Sequence, residues 1–541
     1  MSLTLESLLA RGYLPQELPP PFSSEALAKF VAAERPKQFP FVSNPKRALM
    51  PERSSIPEVF NLARTGTLRR ELAILNPIQF SFLADFVVNN WSDLEKEVTG
   101  SAFSLSSPVT TDPKRGIGRK HKMDQRPERR AEVYAQGRHL LRADISRFYP
   151  SVYTHSIPWA LHDKEFSKKN KKTENLGNQL DELVRYCQDG QTNGIPIGPD
   201  TSLLIAEMLL GKVDAELAKQ NIVGLRYVDD YELVFDSEAQ ALEGLSAFQN
   251  ALLGFELHLN PSKTRVLPLP QRIEEVWVDT IKGFVLEPSS KNFKSQLIHF
   301  FDTAFEHSHT FPDTGILKYA AGRIANIRDW KAHYEIAEDL LVQAARVEAG
   351  ALPVVLNTIL RQPVSDNARK ERRRNLLLKI IIEHAPQRHS SEVAWSVWGC
   401  IVQGFGIPRE ALQLLVRMED SICALVALHA RSLRLAESPA ELDSLAAALT
   451  SDELYDSRWM LAYEAAVRGW LASPSGTDFV GADVNFSKLK AAGVNFYDVS
   501  KTALPPLPPT KAKTVPPEGY GPLDESDDNG EPEQYEGEGY F

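Results

Sequence analysis

Residues 224–235 have the sequence Gly-Leu-Arg-Tyr-Val-Asp-Asp-Tyr-Glu-Leu-Val-Phe, in which two adjacent acids, Asp229 and Asp230, lie between two apolar runs. This pattern is typical of a β-hairpin whose turn carries the acids to the edge of a sheet. Because side chains alternate along a strand, two adjacent acids cannot both face one core. We therefore expect at least one of them to face a cleft. A solvated Asp-Asp turn fits this short motif equally well.

Three further stretches around this hairpin narrow the interpretation. Residues 140–152 (LLRADISRFYPSV) predict an apolar strand that ends at Asp144 and is followed by an aromatic turn. Residues 193–202 (NGIPIGPDTS) predict a Gly/Pro loop that leads into an apolar helix over 203–210. Downstream, residues 257–264 have the sequence LHLNPSKT. All four elements in this order are far less expected by chance than the acidic pair alone.

Together these elements resemble reverse transcriptases. Asp144 matches the first palm motif, Gly198 and Ser202 the second, residues 227–230 the third and Lys263 the fourth. The strings at 144–151 and 194–202 are most similar to bacterial phage-defence enzymes of the abortive-infection and defence-associated types. The resemblance covers roughly residues 47–288. It implies an α+β fold, with a right-hand fingers and palm domain followed by an all-α C-terminal domain and a disordered acidic tail.

The resemblance also implies a metal site. Phosphoryl transfer by such enzymes uses two divalent cations, one at the primer hydroxyl and one at the triphosphate. Mg²⁺ takes oxygen ligands and keeps several waters, so two or three carboxylates suffice. The implied ligands are Asp144 and Asp229, which would bridge both ions, with Asp230 and the backbone carbonyl of Ile145 completing the set. Mn²⁺ is the alternative cation.

Further residues are implied to contact the substrate. Tyr149 would stack under the sugar and clash with a 2′-hydroxyl, which favours deoxynucleotides, although a tyrosine that packs in the core is the alternative. Lys263 would be the general acid that protonates pyrophosphate, or simply a solvated lysine after a turn. Arg70, directly before a predicted strand over 71–78, would contact the nucleotide as part of the fingers. Gly198 and Ser202, of the second palm motif, would also bind the substrate.

One departure from the family pattern is Ile197, which stands where many reverse transcriptases have glutamine. This departure leaves open an unusual template, no template, or a protein hydroxyl as primer. Two other classes of function also stay open. In one, the palm is an inactive nucleic-acid-binding scaffold, and in the other a helical effector module acts under its control.

Residues 111–130 carry eight Lys/Arg against three acids. Gly116 and Gly118 predict a flexible loop here rather than a helix. Such a loop can place several cations along a phosphate backbone, although a solvated loop is the ordinary explanation of a charge run. The candidate nucleic-acid contacts are Lys114, Arg115, Arg119, Lys120 and Lys122.

Composition indicates an ordinary globular protein. The chain has 541 residues and a net charge of −10, of which residues 503–541, with nine acids and two lysines, contribute most. The body is therefore nearly neutral, which is compatible with binding nucleic acid through local basic patches. Three scattered cysteines form no disulfide framework, no apolar run is long enough to span a membrane, and the N-terminus lacks a basic signal region. We expect a cytoplasmic location.

The predicted organisation has four segments: an N-terminal extension over 1–45, fingers and palm over 46–290, a helical domain over 291–500, and a Pro-rich acidic tail over 501–541. Residues 281–286 predict a short strand at the end of the palm. The expected partners are dNTPs, the DNA product and RNA, with a dedicated noncoding RNA as one candidate. A second copy of the chain or a partner protein is also expected, but no membrane. The expected role is antiviral defence.

Overall fold

The computed structural model describes residues 3–42, 49–64, 68–121, 125–171, 174–312, 314–325, 327, 330, 333–364 and 366–504. The described residues form two compact units. The first takes its described residues from the ranges Met1–Asn61, Glu71–Glu274 and Pro408–Ser500, and the second takes them from Leu62–Arg70, Glu275–Ile407 and Lys501–Phe541. This division differs from the four predicted segments, because the helices after Pro408 group with the first unit. The predicted boundaries remain predictions, and most of the predicted tail lies outside the described residues.

The strands are β1 (Phe41–Val42), β2 (Met50–Pro51), β3 (Glu58–Ala63), β4 (Arg69–Ile74), β5 (Pro108–Val109), β6 (Gly118–Arg119), β7 (His139–Asp144), β8 (Val223–Tyr227), β9 (Asp230–Phe235) and β10 (Arg265–Pro268). The helices are α1 (Leu5–Arg11), α2 (Glu25–Glu34), α3 (Pro77–Asn89), α4 (Trp91–Val98), α5 (Arg126–Tyr134), α6 (Phe148–Ser151), α7 (Ser156–His162), α8 (Lys164–Lys169), α9 (Leu176–Tyr186), α10 (Asp200–Lys219), α11 (Glu238–Leu253), α12 (Val276–Lys282), α13 (Phe293–Thr310), α14 (Ile316–Ala325), α15 (Tyr334–Val347), α16 (Leu352–Ile359), α17 (Asn367–His384), α18 (Ser390–Gln403), α19 (Arg409–Arg417), α20 (Ser421–Ser432), α21 (Trp459–Val467), α22 (Phe479–Ala482) and α23 (Phe486–Ala491).

The centre of the first unit is a four-stranded antiparallel sheet with strand order β10-β7-β9-β8. Side chains alternate between its faces. On one face the ring of Tyr231 packs at a tilt against that of Phe248 of α11, with ring centroids 4.4 Å apart. On the other face Leu140 and Val234 pack with Val133 of α5 in one hydrophobic cluster. Helices therefore pack against both faces of the sheet whose strands end at the acids.

Helices α3 and α10 both coincide with apolar runs of the sequence, and α10 confirms the helix predicted over 203–210. Asn76 caps α3, because its side chain accepts a hydrogen bond from the N–H of Ile78. The predicted helix over 203–210 is the buried middle of the longer α10, which begins at Asp200 directly after Pro199. The sequence therefore predicts the position of α10 correctly but underestimates its length.

The second unit contains α12 to α18. The predicted strand over 281–286 is wrong, since Ile281 lies in α12. Trp277 and Ile281 are both buried, and their spacing of four residues places them on one face of a helix. Glu348 accepts backbone hydrogen bonds from Leu317 and Lys318 at the first turn of α14. No helix in the described part of the chain is long and apolar enough to cross a membrane.

Candidate active site

Val228 and Asp229 form the two-residue turn between β8 and β9. Val228 has a φ of 53°, a left-handed conformation that is unfavourable for a β-branched residue. Its N–H donates a hydrogen bond to Ser106 Oγ at 2.8 Å, and its carbonyl accepts one from the guanidinium of Arg226, also at 2.8 Å. These two bonds offset the backbone strain and hold the turn that carries Asp229.

Arg226 belongs to a buried ionic network beneath this turn. Its side chain is fully buried and donates to Glu207 at 2.8 and 3.0 Å and to Asp214 at 2.7 Å, both on α10. Tyr231 adds a hydroxyl hydrogen bond to Asp214 at 2.8 Å. Burial alone would raise the pKa of Glu207, but the neighbouring guanidinium outweighs it, so the net pKa is lowered. The turn is therefore anchored to α10 by one buried guanidinium that pairs with two carboxylates.

The register of the sheet brings the acids together. Asp144, the last residue of β7, lies directly opposite Asp230, the first residue of β9. Directly opposed residues of an antiparallel pair point to the same face, with Cβ atoms about 4.5–5.5 Å apart. Asp229 precedes Asp230 in the turn, so a third carboxylate joins the same end of the sheet. The structure thus places the three predicted acids at one site.

This acidic site has a negative charge that the surrounding side chains only partly balance. Asp229 Oδ1 is buried and has no hydrogen-bond partner among the described residues. The pKa of Asp229 is raised, first by burial and then by the charges of Asp230 and Asp144. The pKa of Asp230 is also raised, mainly by burial, although Arg126 acts in the opposite direction. A buried carboxylate oxygen without a donor, beside two further carboxylates, fits a site for a hard divalent cation.

The raised pKa predicts that Asp229→Asn stabilises the metal-free protein at neutral and alkaline pH. A carboxyl group whose pKa is higher in the folded than in the unfolded state destabilises the fold when it is ionised. This destabilisation begins as the pH rises above the unfolded-state pKa and is complete above the folded-state pKa. We expect the free energy of unfolding of the variant to exceed that of the wild type by about 1–2 kcal/mol at pH 8 and to equal it at pH 4. Denaturation with a chelator present measures this difference, and a variant less stable than the wild type at pH 8 would contradict the raised pKa.

The downstream stretch 257–264 contacts the first acid. Lys263 Nζ lies 3.3 Å from Asp144 Oδ1, and the side-chain amide of Asn260 donates to Asp144 Oδ2 at 3.1 Å. Backbone hydrogen bonds from Asn260 to Asp144 and from Ser146 to His258, both 2.8 Å, flank the Ile145 bridge to Leu259. The predicted Lys263 is thus brought to the site, and Asn260 is a contact that the sequence reasoning did not select.

A second unpredicted group is Glu232, which lies two residues after Asp230 and therefore on the same face of β9. Its carboxylate accepts from Arg126 at 3.0 Å, from Arg130 at 2.5–3.0 Å and from the Tyr134 hydroxyl at 2.8 Å. Burial opposes ionisation, but the two arginines lower the pKa of Glu232 to about 2. The alternation of β9 could have indicated the position of Glu232, whereas its partners on α5 could not be inferred locally.

Three predicted substrate residues lie on or beside the loop before α10. The backbone carbonyl of Tyr149 accepts from the N–H of Ile195 at 2.9 Å, and its ring packs against the cluster that includes Leu140. Gly198 has a φ of 138°, and a Cβ there would lie 3.0 Å from the carbonyl of Ala73 on β4, so a side chain would be strained. Ser202 is buried in the first turn of α10.

The basic segment is more structured than its glycines predict. Gly118 and Arg119 form β6, which pairs with β5 just before the segment, and α5 begins at Arg126. Arg115 pairs with Asp200 at 3.1 Å, and Arg119 donates to the Tyr227 hydroxyl at 3.2 Å. The prediction of a loop is therefore wrong for 126–130, which lie in α5, whereas 111–121 are irregular apart from β6. Buried acids bind several cations of the segment. Lys114 and Lys120 are exposed, and Lys122 lies outside the described residues.

Arg70 occupies the second position of β4, next to Arg69, and belongs to the second compact unit. Its predicted contact with the nucleotide stays a prediction.

Comparison with known protein families agrees with the geometry of the acids. Residues 99–294 match the family model described as reverse transcriptase (RNA-dependent DNA polymerase). The match covers less than half of the chain, but it includes Asp144, Asp229, Asp230 and Lys263. At the level of the family, this segment is similar to nucleotidyltransferase domains. More particularly, it is similar to those of the RNA-directed DNA polymerase kind. No curated protein matches the chain.

Proposed function

We propose that the protein is a reverse transcriptase that adds deoxynucleotides to a primer by two-metal phosphoryl transfer. The observation that supports this most strongly is the register of β7 and β9, which sets Asp144 directly opposite Asp230, the residue next to Asp229. In this proposal the four-stranded sheet is the palm of a right-hand polymerase. The hairpin of β3 and β4 with α3 belongs to the fingers, and the helices after residue 290 form the C-terminal part.

The residues proposed to hold Mg²⁺ are Asp144, Asp229, Asp230 and the backbone carbonyl of Ile145, with Mn²⁺ as an alternative ion. Bound there, two ions would activate the primer hydroxyl and stabilise charge on the triphosphate. The chain itself supplies orientation. Asn260 holds Asp144 Oδ2, and the buried Arg226 network holds the turn that carries Asp229. Such preorganisation lowers the cost of arranging charges during the reaction.

Lys263 is proposed to donate a proton to the departing pyrophosphate, since its ammonium lies beside the first acid. We expect Lys263→Gln to lower kcat about 10²-fold with little change in the KM for dNTP. Lys263→Arg separates two roles, because arginine keeps the positive charge but does not release its proton. Full activity of Lys263→Arg in single-turnover assays would show that charge alone suffices and would contradict proton donation.

Tyr149 is proposed to exclude ribonucleotides. Its ring is partly buried against the hydrophobic cluster and packs edge-on against Phe148, with centroids 5.4 Å apart, so it cannot easily move aside for a 2′-hydroxyl. We expect Tyr149→Ala to raise the efficiency of ribonucleotide addition relative to deoxynucleotide addition about 10-fold or more. Tyr149→Phe keeps the bulk of the ring and is expected to behave as the wild type. Equal discrimination by all three proteins would assign the tyrosine to packing.

The remaining predicted contacts are proposed to bind nucleotide or nucleic acid. Gly198 allows close approach of its backbone at the start of α10, where Ser202 follows, and Arg70 is proposed to meet the triphosphate. Among the basic residues, exposed Lys114 and Lys120 are the proposed phosphate contacts. The proposed set is completed by Arg115, Arg119 and Lys122. In this proposal Arg115 also keeps its ion pair with Asp200, and Arg119 keeps its hydrogen bond to the Tyr227 hydroxyl.

The polymerase proposal is tested by nucleotide addition on a primed RNA template, a primed DNA template and no template. We expect extension on RNA, and removal of co-purifying RNA by ribonuclease should abolish any product made without an added template. Product that stays with the protein after phenol extraction would identify a side-chain hydroxyl as primer. Extension on none of these substrates with any dNTP would contradict the proposal.

The biological role is proposed to be antiviral defence in a bacterium, with a dedicated noncoding RNA as template and with a second copy or a partner protein. Its support is the similarity of the strings at 144–151 and 194–202 to phage-defence enzymes. Plating efficiency of phages on cells with and without the intact acids tests it. Protection that needs Asp229 and Asp230 is expected, whereas no protection against a broad phage panel would contradict the role.

A further inference from the structure

A group of side chains in the second unit, separate from the acidic site, converges on one point. His384 is the last residue of α17, and His389 and Glu392 lie at the start of α18, three residues apart. His384 Nδ1 and His389 Nδ1 are 2.9 Å apart, and each lies 3.5 Å from Glu392 Oε1. Three potential ligand atoms thus form a small triangle at the corner between the two helices.

The dimensions of this triangle fit a transition metal. Zinc binds imidazole nitrogen at about 2.0–2.1 Å and carboxylate oxygen at about 2.0–2.2 Å in tetrahedral geometry. Ligand atoms arranged at those distances lie about 3.3 Å from one another, close to the three separations found here. Nitrogen ligands also select against Mg²⁺, which prefers oxygen. The pattern of two histidines and one glutamate is one that zinc accepts.

The surroundings of Glu392 hold the carboxylate in place. Glu392 is almost fully buried, and Arg69 of β4 binds it through both guanidinium nitrogens, at 2.5 and 2.8 Å. Ser391 donates to Glu392 Oε2 at 2.5 Å and also accepts from the N–H of Ala63 on β3, at 3.0 Å. A carboxylate oxygen has two lone pairs and can accept from arginine while binding a metal. Such outer contacts orient metal ligands in proteins.

The histidines keep an outlet to solvent. Their side chains are 26% and 19% exposed, so an ion could enter, whereas Glu392 is only 1% exposed. Two Nδ1 atoms at 2.9 Å require that one ring donates a proton to the other when no ion is present.

We propose that His384, His389 and Glu392 form a zinc-binding site, with a structural role. A zinc ion would join the end of α17 to the start of α18, and the contacts of Glu392 and Ser391 would extend the link to Arg69 and Ala63 at the end of the β3–β4 hairpin. The three protein ligands leave a fourth position for water. This site is independent of the acids at residues 144, 229 and 230 and of the proposed polymerase activity.

The test uses the full-length protein without an affinity tag, stripped with a chelator and then supplied with Zn²⁺ in the presence of excess Mg²⁺. We expect one zinc per chain by elemental analysis after desalting, a higher Tm with zinc than without, and an X-ray absorption spectrum with only nitrogen and oxygen neighbours. The double variant His384→Ala, His389→Ala should bind zinc at least tenfold more weakly and lose the zinc-dependent rise in Tm.

Two controls separate the histidine cluster from other zinc sites. His309→Ala, at an exposed position near the end of α13, should bind zinc as the wild type does, and so should Asp144→Asn. Glu392 is left unchanged, because its removal would leave Arg69 buried without its partner. The single variants His384→Gln and His389→Gln report on the site if the double variant fails to fold. No retained zinc in the wild type, or equal retention in these histidine variants, would overturn the proposal.

Discussion

Replacing Asp144 by asparagine is expected to lower the rate of nucleotide addition about 10³-fold or more. The reason is geometric as well as electrostatic. Asp144 lies opposite Asp230 at the end of the sheet, and its two oxygens already accept from Asn260 and Lys263. An amide removes the negative charge that a divalent cation needs and turns one acceptor into a donor that faces another donor. Single-turnover addition of a labelled dNTP measures the loss.

The matched control is Asp236→Asn, at the exposed position directly after the other end of β9. It makes the same chemical change near the same strand and is expected to leave the rate unchanged. Nucleic-acid binding and Tm of Asp144→Asn should stay close to those of the wild type, since the change is local. Activity within tenfold of the wild type in Asp144→Asn would remove this residue from the metal site.

Replacing Arg226 by methionine is expected to destabilise the first unit by about 3–5 kcal/mol. The side chain is fully buried between Glu207 and Asp214, so methionine leaves two carboxylates without their main counter-charge. It also removes the hydrogen bond to the carbonyl of Val228, which helps to hold a left-handed valine. The variant should therefore lose stability and, at temperatures where it remains folded, nucleotide addition as well.

Denaturant unfolding followed by circular dichroism measures the effect of Arg226→Met. Arg129→Met is the control, because Arg129 pairs with Glu132 on the surface and such pairs contribute little. Ser106→Ala removes only the hydrogen bond that the Ser106 hydroxyl accepts from the Val228 N–H and the one that it donates to Glu207. This change should lower the free energy of unfolding by about 1–3 kcal/mol. Wild-type stability of Arg226→Met would show that the network does not anchor the turn.

Local sequence patterns were sufficient for the elements that carry the acids. Alternating apolar residues around Asp229 and Asp230 gave the β8–β9 hairpin, and the apolar run before Asp144 gave β7. The register between β7 and β9 could not be derived in the same way, because it joins residues about 85 positions apart along the chain. Resemblance to a family implied only that these acids share a metal site, whereas the structure shows the register as the pair Asp144 and Asp230.

Charge patterns predicted the structure least well, because the sequence does not show whether a charged side chain is exposed or buried. The run over 111–130 was interpreted as one flexible cationic loop. In the structure Arg126 and Arg130 turn inward to Glu232, and Arg115 turns inward to Asp200. Each partner lies 85 to 106 residues away, so no local window contains both members of a pair. Arg226 lies only 12 and 19 residues from Asp214 and Glu207, and these three charges were not selected because the sequence does not show that they are buried.

The sequence does not predict the histidine cluster, for a related reason. His384 and His389 are separated by a short turn between two helices, and their spacing alone matches no metal motif. The corner between α17 and α18 brings them together, and Arg69 then fixes Glu392 beside them. Folding thus creates ligand geometry that spacing did not suggest.

The central claim is that three carboxylates at the end of one sheet make the protein a metal-dependent DNA polymerase. The most direct test is incorporation of labelled dNTPs by the purified full-length protein with Mg²⁺, compared with the double variant Asp229→Ala, Asp230→Ala. We predict product from the wild type that vanishes with a chelator and is absent with the double variant. Equal incorporation by both proteins, or none by the wild type with any primer, template or nucleotide, would contradict it.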